Sequence, residues 1–376
     1  MEIVDVGVLC NGIKEGRYGL AMAKCSGNVA AVFTRNSLRA APVVVCEEHV
    51  SDGRIEGLIV NSGNANAFTG EEGYRDAKEM CEIAASLLGC DARDIAVAST
   101  GVIGRRLDMD WIRRSAAKVA ANLGSSYKHA ENFARAITTT DRFIKKASHA
   151  EAKIAAVAKG AGMIAPNMAT MLCFIFTTAS FDSGELYEML KDAVDASFNR
   201  LTVDGDTSTN DTVLLVSTMK ENVPRDVFEE GLREVCLNLA HQIARDGEGA
   251  TRVFRVRVLG AESEEEANTV AKAVASSLLV KTAVFGRDPN WGRIVAAVGY
   301  STKASERLSI CFRGDEEVWL VVDGRATGRE EDARKLMERC EEFEILVDLN
   351  KGGAEGLAIG CDLSYDYVRL NSSYTT

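Results

Sequence analysis

The apolar run from Met171 to Phe176 constrains this chain more than any other feature. It ends the stretch KGAGMIAPNMATMLCFIF, residues 159–176. Its apolar, aromatic and β-branched side chains predict a central strand. What precedes it cannot be regular structure. Pro166 disfavours helix in the residue before it, and the Pro166-Asn167 pair favours a tight turn. An irregular loop therefore runs straight into a core strand, with Thr170 at the junction. Such a strand needs a large core around it. The chain has 376 residues, 46% of them hydrophobic, which is enough.

Elsewhere, short strand-like runs alternate with amphipathic helices, so the fold class is α/β. LIVNSG (58–63) and IAVAST (95–100) read as buried strands ending in turns. Between them, Thr69 and Glu72 have capping-box spacing. The apolar stripe Ala77, Met80, Cys81, Ala84, Leu87 and Leu88 predicts a helix that Gly89 ends. A second helix is expected from Pro224 to Asp246-Gly247, and a third from Ser263, whose acidic start SEEEA suits the helix dipole. RVFRVRVLG (252–260), EVWLVVDG (317–324) and FEILVDLN (343–350) alternate partially, as strands exposed on one face do. DYVRLNSSY (366–374) also reads as a strand, one that would pin the C-terminal tail. No Pro- or Gly-rich linker divides the chain, which favours intertwined domains.

Charge narrows the partners. The formal net charge is −11, and phosphate binding needs a basic face, so nucleic acid is excluded. No apolar run is long enough to span a bilayer, and MEIVDVGVLC lacks the basic and apolar segments of a secretory leader. The ten cysteines form no C-x-x-C pair, and His49, His129, His149 and His241 stand apart. These spacings predict no metal site. They predict free, buried thiols in a reducing cytoplasm.

Four segments can carry chemistry. A threonine opening a strand behind a tight turn can attack the preceding carbonyl, here that of the small residue Ala169. An N-to-O acyl shift would then free Thr170 as a new N-terminus holding a hydroxyl and an α-amine together. An α-amine has a pKa of about 7.7–8.0, so it can act as the base for its own hydroxyl. Thr170 could equally do no more than open the strand. In ASTGVIGRRL, Thr100 and Gly101 follow a buried strand. They offer a hydroxyl and a glycine backbone for an oxyanion, or make a plain turn. LTVDGDTSTNDT (201–212) fails the EF-hand spacing and is expected to be a hydrogen-bonded loop bracing a site. In ARDGEGATR, Glu248 lies between glycines with little steric cover. It could bind a cationic group or remain a solvated loop residue.

Taken together, FTRNSLRAAPV (33–43), NSGNANAFTG (61–70), STGVIG (99–104), KGAGMIAPNMATML, VDGDTSTNDT, ARDGEGATR, FGRDPNWGRI (285–294) and NSSYTT (371–376) resemble the glutamate N-acetyltransferases, or ornithine acetyltransferases, of arginine biosynthesis. They run in family order along nearly the whole chain. The resemblance implies a layered α/β sandwich like the N-terminal nucleophile hydrolases in site geometry, with a smaller C-terminal α/β domain. It implies a precursor cut between Ala169 and Thr170 into an α chain, 1–169, and a β chain, 170–376, assembled as an α2β2 heterotetramer in the cytoplasm. Thr170 is the implied nucleophile, and Thr100 and Gly101 the implied oxyanion hole. Lys159, Glu248, Asn371, Thr376 and a threonine of AITTTD, taken as Thr139, are the implied substrate contacts.

The implied reaction is ping-pong: Thr170 takes the acetyl group of N-acetylornithine, and glutamate then removes it. Lys159 would pair with the substrate carboxylate and Glu248 with the ornithine side-chain ammonium. No cofactor is implied, although acetyl-CoA serves some members as donor. Two departures stand out. The stretch between TTTD and Lys159 is short and lacks a glycine turn, which leaves Thr138 and Thr140 as alternatives to Thr139. Ser372 replaces a typical alanine. Two other readings remain open: an N-terminal-nucleophile aminopeptidase or amidase passing the acyl group to water, and an uncleaved scaffold.

Overall fold

In the computed structural model, which describes residues 1–165 and 171–373, the run after Met171 is a strand buried at every position, Leu172–Ala179. It sits inside an eight-stranded sheet. The strands in chain order are β1 (Leu9–Glu15), β2 (Tyr18–Phe33), β3 (Arg54–Asn64), β4 (Ile95–Val102), β5 (Lys145–His149), β6 (Ile154–Lys159) and β7 (Leu172–Ala179). The short β8 (Leu201–Thr202) belongs to a second sheet, and β9 (Thr212–Glu221) completes the first. The order across the first sheet is β4-β3-β2-β9-β7-β6-β5, with β1 also paired to β2. β7 runs parallel to β9 and antiparallel to β6.

Phe174 and Phe176, both fully buried, pack with side chains from helices Gly70–Leu88, Met109–Ala120 and Tyr127–Ala136. Each buried phenyl ring contributes about 1.5–3 kcal/mol of hydrophobic stabilisation. Phe133 meets Phe174 edge to face, with ring centroids 6.0 Å apart. The cysteines are free, and all but Cys90 and Cys340 are buried.

The chain divides into two compact units. The first holds residues 1–199 and 206–239, and with them the eight-stranded sheet. The second holds 200–205 and 240–374. Its sheet adds β10 (Val253–Ala261), β11 (Ser309–Arg313), β12 (Glu317–Val322), β13 (Arg325–Ala326), β14 (Glu342–Asp348) and β15 (Ala354–Cys361), in the order β13-β12-β11-β14-β10-β15-β8. Along β10, Phe254, Val256 and Val258 enter a core with helices Glu264–Ser276, Trp291–Ser301 and Glu330–Arg339. Arg257 faces the other way and pairs with Glu344 at 3.2 Å.

Two local expectations need correction. The capping box at Thr69 does not form, although the helix begins at Gly70 and ends at Gly89 as expected. The Thr69 hydroxyl donates instead to Asn66 Oδ1, at 2.8 Å, and Glu72 pairs with Arg106. The C-terminal segment is not a strand but a helix, Tyr365–Ser373. Val368 is its only β-branched side chain. Ser364 Oγ accepts the Asp366 N–H at 3.1 Å, Asp366 pairs with Arg369 one turn on, and Ser372 and Ser373 donate back to the Arg369 carbonyl. Local hydroxyl and charge pairs thus favour helix over an exposed extended chain.

Candidate active site

The parallel strands β3 and β4 end in a bulge, and Gly101 lies in it at φ 132. A Cβ there would stand 2.3 Å from the Gly63 carbonyl carbon and 2.4 Å from Asn64 N. Only glycine lets the two backbones approach so closely at that φ. The preceding turn of chain is braced from two sides. Ser99 Oγ donates to Asn61 Oδ1 at 2.5 Å, and Asn210 Nδ2 donates to the carbonyls of Ser99 (2.9 Å) and Ala65 (2.7 Å). The 201–212 loop therefore does brace the site, through Asn210.

Thr100 is 2% exposed, and Lys159, the last residue of β6, is also 2% exposed. Lys159 Nζ donates to Thr100 Oγ1 at 3.1 Å, which joins two residues far apart in sequence. An ammonium is a donor only, so Thr100 Oγ1 accepts in this bond and keeps its own proton for another acceptor. The neighbouring positive charge makes that hydroxyl a stronger donor.

Behind Lys159 lies Asp141, whose side chain is fully buried, as is that of Lys145. Lys145 Nζ donates to Asp141 Oδ1 at 2.6 Å, and the backbone N–H groups of Gly160 (2.8 Å) and Thr139 (2.9 Å) donate to the same carboxylate. Burial alone would raise the Asp141 pKa. Lys159, Lys145 and the Gly160 N–H outweigh it and hold the carboxyl at about 2. Lys14 of β1 completes the group. Its Nζ donates to Ser62 Oγ at 2.8 Å and to the Thr138 carbonyl. Burial and the charge of Lys159 bring its pKa down to about 8, against the opposite pull of Asp141.

Of the predicted site residues, Thr100, Gly101, Thr139 and Lys159 thus come together in the first unit. The Thr139 hydroxyl takes no part in the Asp141 contact, which its backbone makes, while Thr138 Oγ1 caps the Arg135 carbonyl. Glu248 and Asn371 form their own pair in the second unit, Asn371 Nδ2 to Glu248 Oε2 at 2.9 Å. Gly249 at φ 71 lets the Glu248 loop approach the Tyr365–Ser373 helix, because a Cβ there would stand 2.3 Å from Tyr367 N. Ser364 Oγ also donates to the Gly249 carbonyl at 2.6 Å. Ala169, Thr170 and Thr376 lie outside the described residues.

Sequence reasoning overlooked Lys14, Asp141 and Lys145. Asp141 directly follows the TTT run and could have been noticed there. Lys14 and Lys145 carry no local signal, because only the β1–β2 hairpin and the β5–β6 pairing bring them to the site.

Comparison with known proteins identifies the family. The model of the ArgJ family matches residues 5–376. A relative from Archaeoglobus fulgidus, named arginine biosynthesis bifunctional protein ArgJ, is 66% identical over the full length of both chains. A glutamate N-acetyltransferase of Methanosarcina mazei is 48% identical over 98% of this chain and 97% of its own. The crystal structure of the arginine biosynthesis bifunctional protein ArgJ from Bacillus halodurans is 41% identical, with a TM-score of 0.51, over 54% of this chain and 98% of that one. With a family match from residue 5 to the last residue and relatives this similar along their whole length, the chain belongs to the ArgJ family.

Proposed function

We propose that this chain transfers the acetyl group of N-acetylornithine to glutamate through an acetyl ester on Thr170. Family membership makes it a glutamate N-acetyltransferase of arginine biosynthesis. The observation that carries the chemistry is the Lys159 ammonium on the Thr100 hydroxyl. It leaves the Thr100 proton, beside the Gly101 backbone, for an oxyanion. A buried, preorganised donor of this kind stabilises a tetrahedral intermediate by far more than the same donor in water. Lys159 also supplies the positive charge that an amino-acid α-carboxylate requires.

In this reading, the Thr170 α-amine takes the hydroxyl proton, Oγ attacks the acetyl carbon, and ornithine leaves. The amine of glutamate then attacks the ester, and Thr170 is regenerated. Water must stay out for the ester to reach glutamate, and the low exposure of Thr100 and Lys159 favours that. Glu248 and Asn371, with Thr139 and Thr376, make the remaining substrate contacts. The enzyme works in the cytoplasm as an α2β2 assembly of its own two pieces. A solved relative whose whole chain matches only 54% of this one, close to the share that residues 170–376 make up, supports the cut.

Mass spectrometry after mixing with N-acetylornithine, without glutamate, should find one acetyl group on Thr170. An unmodified Thr170 peptide in a protein that still turns over would remove the ester mechanism. The amidase reading is tested in the same sample. If N-acetylornithine is consumed as fast without glutamate as with it, water is the acceptor. Replacing N-acetylornithine by acetyl-CoA shows whether a second donor is used.

A further inference from the structure

Asn210 is only 4% exposed, and its side-chain amide is given over to backbone. Nδ2 donates to the Ser99 carbonyl of β4 at 2.9 Å and to the Ala65 carbonyl, just past the end of β3, at 2.7 Å. Oδ1 accepts the Thr209 hydroxyl at 2.6 Å. Carbonyls only accept, so two of them at one point require an amide nitrogen. An aspartate of the same shape would set its oxygens against them. The two carbonyls stand on either side of the place where Gly101 packs on Gly63 and Asn64. One side chain thus clamps both strand ends of the oxyanion turn.

The loop that carries Asn210 is itself tied down by the segment after β2. Thr34 N donates to the Asp211 carbonyl at 3.0 Å and Ala40 N to the Thr209 carbonyl at 2.9 Å. Thr34 Oγ1 donates to the Ser208 carbonyl at 2.6 Å, and Asn36 Nδ2 to the Thr207 carbonyl at 3.0 Å. Residues 34–40 therefore hold the loop on both sides of Asn210. FTRNSLRAAPV and VDGDTSTNDT, far apart in sequence, meet here to aim one amide.

We propose that Asn210 is a positioning residue for acetyl transfer, an inference that rests on reading Thr100 and Gly101 as the oxyanion hole. The Ser99 carbonyl and the Thr100 nitrogen share one rigid peptide plane, so holding the carbonyl fixes the backbone from which the Thr100 side chain projects. Holding Ala65 at the same time keeps the Gly63–Asn64 backbone against Gly101. A donor to a developing oxyanion must be held within about 0.5 Å of its productive place. Asn210 acts through the turn alone, because backbone takes both of its amide hydrogens and leaves none for a substrate.

The test is a double-mutant cycle in kcat for acetyl transfer from N-acetylornithine to glutamate, with wild type, Asn210→Ala, Thr100→Val and the double variant. Alone, Asn210→Ala should lower kcat by about 10²-fold, the size of a misplacement near 1 Å. With the Thr100 hydroxyl already gone, the same change should cost under about tenfold, because only the Gly101 backbone is left to misplace. A merely structural role would remove the same fraction of active enzyme in both backgrounds. Equal losses in the two backgrounds therefore overturn the proposal, as does a wild-type kcat in Asn210→Ala.

If Asn210→Ala does not fold, Asn36→Asp takes its place in the cycle. Asn36 is half-buried, and aspartate keeps the acceptor for the Leu38 N–H while it removes the donor to Thr207. Its loss should be about tenfold and should shrink in the same way without the Thr100 hydroxyl. An unchanged kcat, or equal losses in both backgrounds, overturns the proposal here too. Thr100→Val at the wild-type kcat sinks the oxyanion reading itself, and the proposal with it.

Discussion

The two clusters of site residues are built on opposite terms. Around Thr100, charge is buried: Lys159, Lys145 and Asp141 are shut away from water, and each contact is made by a strand end or a backbone amide. Around Glu248, the partner is Asn371 on a helix with no buried residue, and the contact lies in solvent. Buried charge is expensive and fixes geometry, which suits groups that must meet a transition state. A half-exposed carboxylate on a glycine-flanked loop costs little to hold and is suited to recognising a mobile, solvated end of a substrate. On the function proposed above, the first cluster would serve bond-making and the second substrate choice, and each substitution below should fall on one side of that division.

The largest effect is expected at the nucleophile. Thr170→Ala should remain a single chain on a denaturing gel and show no acetyl transfer. Residual transfer near the wild-type rate would move the chemistry away from Thr170 altogether. In wild type, the cut products should stay together in native gel filtration and part only in denaturant. Residues before the cut supply β1 to β6, and β7 and β9, from after it, lie between β2 and β6. Pulling the pieces apart would break the middle of the sheet.

Next comes Asp141→Asn, which removes the carboxylate from a buried ion pair with Lys145. A loss of about 3–5 kcal/mol in unfolding free energy is expected, read from the denaturant midpoint. The same carboxyl predicts a pH dependence. Its folded pKa, about 2, lies below the ordinary value near 3.9. Its stabilisation is therefore full above about pH 4 and is lost as pH falls towards 2. The variant should lack that acid-side loss, so the stability curves of wild type and variant should converge at low pH. Parallel curves would show that Lys145 and Asp141 are not coupled as drawn.

Thr100→Val follows, with its predicted cost in rate and not in folding. Removing one oxyanion donor should lower kcat by about 10²–10³-fold, equivalent to about 2.7–4 kcal/mol, with little change in thermal midpoint. A variant that keeps kcat and loses only affinity would place Thr100 with the recognition cluster.

These tests turn on residues of unequal legibility. Thr170, Thr100-Gly101 and Glu248 could be picked out because glycine, proline and a strand boundary mark them locally. The strands and helices that carry them were legible from periodicity for the same reason. Asp141 could have been noticed beside the TTT run, but Lys145 and Lys14 could not, since nothing in KKASH or NGIKE announces that those side chains turn inward. Their roles come from which strands pair, a long-range fact. The C-terminal tail failed differently: a short polar segment with one β-branched residue has little preference of its own, and serine and Asp-Arg pairs decide it. The Thr69 capping box failed because Asn66 and Arg106 offer its two side chains better partners.

The smallest expected effect is the most selective. In a ping-pong reaction, kcat/KM for each substrate reports its own half-reaction. Glu248→Gln should lower kcat/KM for N-acetylornithine by about 5–30-fold, the worth of about 1–2 kcal/mol for a charged hydrogen bond at a half-exposed site. For glutamate it should leave kcat/KM unchanged or raise it, because the glutamate side chain carries a carboxylate that Glu248 repels. Stability should hardly move, since Asn371 can still donate to the glutamine oxygen. An equal loss in both half-reactions would mean that Glu248 acts on the acetyl-transfer chemistry itself, and the division between the two clusters would fail at that residue.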